Sequence, residues 1–103
     1  MKNEPLFLLG STFSLGNCYM TPGIVDLVDR FYFPARHFLE RHQSGDVGVL
    51  EAEDVQANVD AQKNGRRTFS AYAFEPQAND SIRIWIITEA DRSSTTILLP
   101  EEY

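Results

Sequence analysis

The residues best suited to chemistry gather near the end of the chain. Thr88, Glu89, Asp91, Arg92, Ser93 and Ser94 lie between apolar runs that stop at Ile87 and resume at Ile97. Carboxylates, a guanidinium and hydroxyls in so short a span could recognise a polar ligand, and binding groups often sit on loops held by a rigid sheet. Catalysis asks for more. A nucleophilic serine needs a neighbouring base, and the two histidines, His37 and His42, are far away in sequence. The plainer reading is a turn in which Asp91 and Ser93 bond local amides, while Thr95 and Thr96 favour extended backbone. Glu89 and Arg92 would then form a surface pair worth at most about 1 kcal/mol. The six residues are carried forward as a candidate binding site, and no catalytic residue is assigned.

Other constellations carry less. On a helix, His37 and His42 would point about 140° apart, so they do not share a metal as an i, i+4 pair would. Both read as surface residues. Cys18 is the only cysteine, which excludes an internal disulfide and a multi-cysteine zinc site; in a strand it reads as a small buried hydrophobe. The acids Asp46, Glu51, Glu53, Asp54 and Asp60 lack the alternating spacing and central glycine of a calcium loop. The stretch GSTFSLG has no phosphate-loop lysine. No cofactor and no metal are expected.

The elements that must position these residues follow from periodicity. PLFLL and FSLGNCYM read as strands, with Gly16 as a bulge. Thr21 and Pro22 open a helix through TPGIVDLVDRFYF, with Ile24, Val25, Val28, Phe31 and Tyr32 on one face. Pro34 ends it and begins a second helix, closed by Gly45. LEAEDVQANVDAQKNG predicts a third helix with acids in its first turn and Gly65 at its end. From Gly65 the period becomes two: RRTFSAYAFE, the five-residue loop PQAND, SIRIWIITEA and STTILLP form three strands. The middle strand is apolar on both faces, as a central strand would be. The expected fold is therefore one α+β domain over residues 1–103. It has an antiparallel sheet, made of a C-terminal three-strand meander plus one or two N-terminal strands, with two or three helices on one face.

Charge narrows the function. The net charge is −6, which opposes a phosphate backbone and argues against direct nucleic-acid binding. The apolar run Leu6–Leu9 is too short for a secretion signal, and no stretch approaches the roughly 18 apolar residues of a membrane span. A cytoplasmic protein with no membrane contact is expected. Aromatics make up 12% of the chain. Phe31, Tyr32 and Phe33 cannot all face one core from a helix, so with Phe38 they form a candidate interface for a partner or a second copy.

SGDVGVLEAEDVQANVDAQKNGRRTFSAYAF and IRIWIITEADRSSTTILLPEEY resemble a family of short bacterial proteins carried on plasmids and integrated mobile elements, labelled plasmid-related proteins. The resemblance runs from LGNCYMTPG to the end and is strongest at WIITEADRSSTTILLPEEY. Where that family carries a tryptophan in the SGDVG segment, this chain has Val47. The resemblance implies a bacterial cytoplasmic protein that travels with mobile DNA and has no established activity. A methyltransferase-subunit role, sometimes attached to such proteins, does not suit a chain lacking a cofactor-binding parallel domain and an Asn/Asp-Pro-Pro-aromatic loop. The leading expectation is a non-enzymatic interaction module of a mobile element, acting on a host defence or DNA-processing protein, with homodimerisation as a further form of contact. The alternatives are a small enzyme or ligand-binding domain using Glu89, Asp91 and Arg92 at a sheet end, and an acidic mimic of nucleic acid.

Overall fold

The computed structural model describes residues 14–46, 48–49 and 65–103. The expected strand PLFLL and the expected helix over 50–65 lie outside them, apart from Gly65. Among the described residues there are four strands: β1 (Asn17–Met20), β2 (Thr68–Gln77), β3 (Asp80–Thr88) and β4 (Ser94–Leu98). The helices α1 (Pro22–Phe31) and α2 (Ala35–Gln43) follow β1, and a 3₁₀ turn covers Pro100–Glu102.

The fold is α+β, but its sheet is mixed rather than antiparallel throughout. The strand order is β1-β4-β3-β2. β2, β3 and β4 pair antiparallel in succession, whereas β1 runs parallel to β4, from Asn17 opposite Ser94 to Met20 opposite Ile97. Alternation in a sequence fixes which face a side chain takes, not the direction of the neighbouring strand. The five-residue loop also contracts: Gln77 pairs with Asp80 across a two-residue turn, with Asn79 at φ 66°. The register slips between Phe74 and Gln77. Pro76 has no N–H to give the ladder and is accommodated on an edge strand.

Both helices lie on the face that carries Tyr72, Ile84, Ile86 and Ile97, where Ile24, Leu27, Phe33 and Phe38 complete the core. Burying each such side chain contributes about 1.5–3 kcal/mol. The stripe on α1 is rotated from the expected one: Ile24 and Leu27 are buried, while Val25 is exposed. Tyr32 adopts left-handed geometry (φ 55°), and its amide closes the helix on Val28 O. That reversal leaves Tyr32 88% exposed and turns Phe33 inward. Phe33 stacks on Phe38 at 5.2 Å and meets Phe74 edge-on. Phe33 and Phe38 are therefore core residues, not interface residues, and Phe31 is half-buried against the same cluster.

Three tertiary devices fix the ends. Thr21 occupies the N-cap of α1, yet its hydroxyl does not cap the helix. The carboxylate of Glu102 does so instead, accepting from the Gly23 amide at 2.8 Å, the Thr21 hydroxyl and the Leu99 amide. Burial opposes ionisation of Glu102, but these three donors outweigh it, and the carboxyl lies below its ordinary value. At the other end of β1, Gly16 has φ +65°, and a Cβ there would stand 2.4 Å from the carbonyl oxygens of Arg92 and Ser93. On the outer edge of β2, Gly48 forms a parallel bridge with Ala71, the Val49 amide donates to Ala71 O at 2.7 Å, and the Tyr72 hydroxyl donates to Asp46 O.

Two stability measurements follow. Gly65 also has positive φ but open space around it, so Gly65→Ala should lose only the left-handed strain, about 1–2 kcal/mol. Gly16→Ala should lose clearly more in urea unfolding, because β1 must also move off the turn; equal losses would refute that contact. Glu102→Gln should lower stability near pH 7 by about 0.3–1 kcal/mol. Because the folded carboxyl value is depressed, this difference should fade as pH falls through the carboxylate range.

Candidate functional site

The 88–94 segment is a turn whose polar groups mostly hold its own backbone. The Glu89 amide donates to Ser94 O at 3.0 Å, and the Arg92 amide to Glu89 O at 2.9 Å. Arg92 takes left-handed geometry (φ 61°). Asp91 Oδ1 accepts the Ser93 amide at 3.0 Å, and the Ser93 hydroxyl and amide hold the Asp91 carboxyl below its usual value. Arg92 Nη1 reaches the carbonyls of Arg66 (2.6 Å), Glu89 (3.0 Å) and Ala90 (3.2 Å), tying the turn to the entrance of β2. The expected Glu89–Arg92 pair is replaced by Glu89 with Arg67 Nε at 3.3 Å. Ser94 lies in β4 opposite Asn17, and Thr88 is fully buried. Glu89, Asp91 and Arg92 thus take up three different tasks and do not converge on a common ligand position.

Beneath the turn lies a buried polar layer that sequence reasoning missed. His42, read above as a surface residue, is 1% exposed. Its Nδ1 lies 2.5 Å from Ser70 Oγ and its Nε2 2.9 Å from Thr88 Oγ1. Thr88 Oγ1 is 2.7 Å from Thr95 Oγ1, and Thr95 donates to Leu15 O at 2.7 Å. The direction of the chain follows from its last link, since a carbonyl can only accept. Thr95 gives its single proton to Leu15 and so accepts from Thr88. Thr88 in turn accepts from His42 Nε2–H, and Nδ1 accepts from Ser70. Burial, and then the charge of Arg92, push the imidazole down to about 4. The layer contains a hydroxyl aimed at an imidazole nitrogen, as in nucleophilic catalysis. However, Ser70 and Thr88 are both 0% exposed, and a substrate has no approach to them. The Thr68 hydroxyl, in register with Thr88 and also fully buried, has no hydrogen-bond partner among the described residues. The available signal was the run of inward-facing polar residues at 68, 70, 88 and 95, with His42 one turn after Phe38.

The remaining expectations divide. His37 is exposed. Cys18 is also exposed, on the edge strand rather than in the core, with its thiol raised by partial burial. Of the acidic set, Asp46 pairs with Arg41 at 2.7 Å, and the other members lie outside the described residues. No helix among the described residues is long and apolar enough to cross a membrane.

The sheet face opposite α1 and α2 carries a concave feature. Phe69 on β2 and Trp85 and Ile87 on β3 line a groove of about 320 Å³, with Arg67 and Tyr103 beside them. Phe69 meets Trp85 edge-on at 5.0 Å and 85°, and Trp85 meets Tyr103 at 5.8 Å and 69°. The Arg67 guanidinium lies 5.7 Å from the Tyr103 ring centre, and its Nη1 donates to the Tyr103 hydroxyl at 3.2 Å. Arg67 also carries the pair with Glu89, so this member of the 88–94 set belongs to the groove's rim. The β-period places Phe69, Trp85 and Ile87 on one face, but nothing in the sequence brings Tyr103 against them.

The buried imidazole sets a pH dependence. An unfolded histidine titrates near 6.5, so below that pH the unfolded chain takes up a proton that the folded chain excludes. The stabilisation is complete above about pH 6.5 and is lost as pH falls towards 4. The loss should reach about 2 kcal/mol by pH 5. Urea midpoints from pH 7.5 to 5 should show this slope in the wild type and not in His42→Gln. A flat wild-type profile would contradict the assigned protonation state.

In comparisons with known proteins, no family model, no curated protein and no solved structure matches this chain.

Proposed function

We propose that this chain is a non-enzymatic protein-interaction module that meets its partner at the groove lined by Phe69, Trp85, Ile87 and Tyr103. The observation that carries this reading is an apolar concavity with a half-exposed ion pair, Arg67–Glu89, beside it. Interface centres have this composition: aromatic anchors inside, and charged groups towards the solvent. The 88–94 turn contributes Glu89 to that rim and otherwise supports the sheet. The enzyme alternative required Glu89, Asp91 and Arg92 to share a pocket, and their hydrogen bonds run in different directions.

The resemblance of the C-terminal stretch to plasmid-related proteins supports a further part of the reading. The module would serve a plasmid or other mobile element inside a bacterial cell and act on a host defence or DNA-processing protein. Tyr32, 88% exposed, is the remaining member of the aromatic segment able to contribute a second contact.

Capture of partners from a bacterial host lysate, with wild type, Tyr103→Ala and Tyr32→Ala in parallel, tests the assignment. Tyr103 is 70% exposed, so its removal should leave the fold intact, as circular dichroism can verify. A partner retained by wild type and Tyr32→Ala but depleted at least tenfold by Tyr103→Ala is expected. Retention by Tyr103→Ala with loss in Tyr32→Ala would move the contact to the opposite side of the molecule.

A further inference from the structure

The groove's charge and ring geometry point to the chemistry of its occupant. Successive rings stand nearly at right angles, 85° for Phe69 with Trp85 and 69° for Trp85 with Tyr103. The wall is therefore notched rather than flat, and it presents ring faces as well as edges. Ring faces attract cations. The chain displays this preference itself, since the Arg67 guanidinium already lies over Tyr103 at 5.7 Å while its Nε pairs with Glu89 at 3.3 Å. That ion pair is open to water, with the two side chains 47% and 46% exposed. A pair so placed is worth at most about 1 kcal/mol, so a second cation can compete for both Glu89 and the ring.

The long-range field acts in the same sense. A net charge of −6 draws basic partners and repels acidic ones. An anionic ligand aimed at Arg67 would have to approach against that field and displace Glu89 as well.

We propose that the groove takes an extended basic segment of a partner protein, whose arginine or lysine enters the corner between Trp85 and Tyr103 and displaces Arg67 from Glu89. This rests on the groove being the contact site. Ile87 and Phe69 line the apolar part of the same groove.

Trp85 is the chain's single tryptophan, so its fluorescence reports on this corner directly. The full chain would be titrated with three short blocked peptides that carry arginine, glutamine or glutamate between leucines. The arginine peptide should give a saturable change in Trp85 emission with a Kd on the order of 100 μM. The binding should weaken at least fivefold in Glu89→Gln and in Tyr103→Leu, and also with added salt. Arg67→Ala should bind severalfold more tightly, because the internal competitor is gone. Preference for the glutamate peptide, or loss of binding in Arg67→Ala, would overturn the basic-segment assignment while leaving the groove as a binding site. Equal binding of the arginine and glutamine peptides would overturn the charge argument in the same way. No response to any of the three up to millimolar concentration would also overturn it, and the Tyr103→Ala capture experiment then decides the groove reading independently.

Discussion

The constraint on which the rest depends is the burial of an uncharged imidazole. His42 enters the interior at the point where α2 crosses the sheet, and its two nitrogens engage β2 through Ser70 and β3 through Thr88. The chain continues through Thr95 on β4 to the backbone just before β1. One line of hydrogen bonds therefore spans the sheet from β2 to the segment that leads into β1. Apolar contacts alone would tolerate sliding among similar isoleucines, whereas a directed polar chain buried in a low dielectric permits only one alignment. The 88–94 turn sits directly above this line. Thr88 and Thr95, which flank it, are both held inside, so the turn's width is set from below.

Much of this was legible, and the rest was hidden for identifiable reasons. Thr21-Pro22 marks the start of α1, Pro34 its interruption, and the period of two from Thr68 to Ile87 is plain. The same alternation puts Ser70 and Tyr72 on one face, as observed. The parallel direction of β1 was not legible, because it depends on Gly16 fitting against the carbonyls of residues 92 and 93, a contact between distant parts of the chain. Phe33 and Phe38 looked like surplus aromatics because the helix was extended through Tyr32. A single left-handed residue there reverses the chain and uses both rings in the core. His42 was misread because a histidine on a short polar helix is ordinarily solvated, and its partners are hydroxyls spread over three strands.

The candidate site follows the same division. The polar cluster near the end of the chain was conspicuous by composition, yet most of its hydrogen bonds hold the turn together. The groove was inconspicuous because its residues are far apart in sequence. Phe69 and Trp85 belong to a face that the periodicity defines, whereas Tyr103 arrives only because Glu102 docks on the start of α1. The last residues thus work on both sides of the sheet, with Glu102 on the helical face and Tyr103 on the other.

The short bridge at Gly48 and Val49 has a consequence for assembly. A sheet with two unprotected edges can add strands indefinitely, which is the geometry of fibres. Here the middle of β2's outer edge is occupied at Ala71, and further along Pro76 has no amide to offer. Among the described residues, β1 is the edge that remains. Two copies that met along β1 would use up that edge in both, which favours closure at a pair over growth.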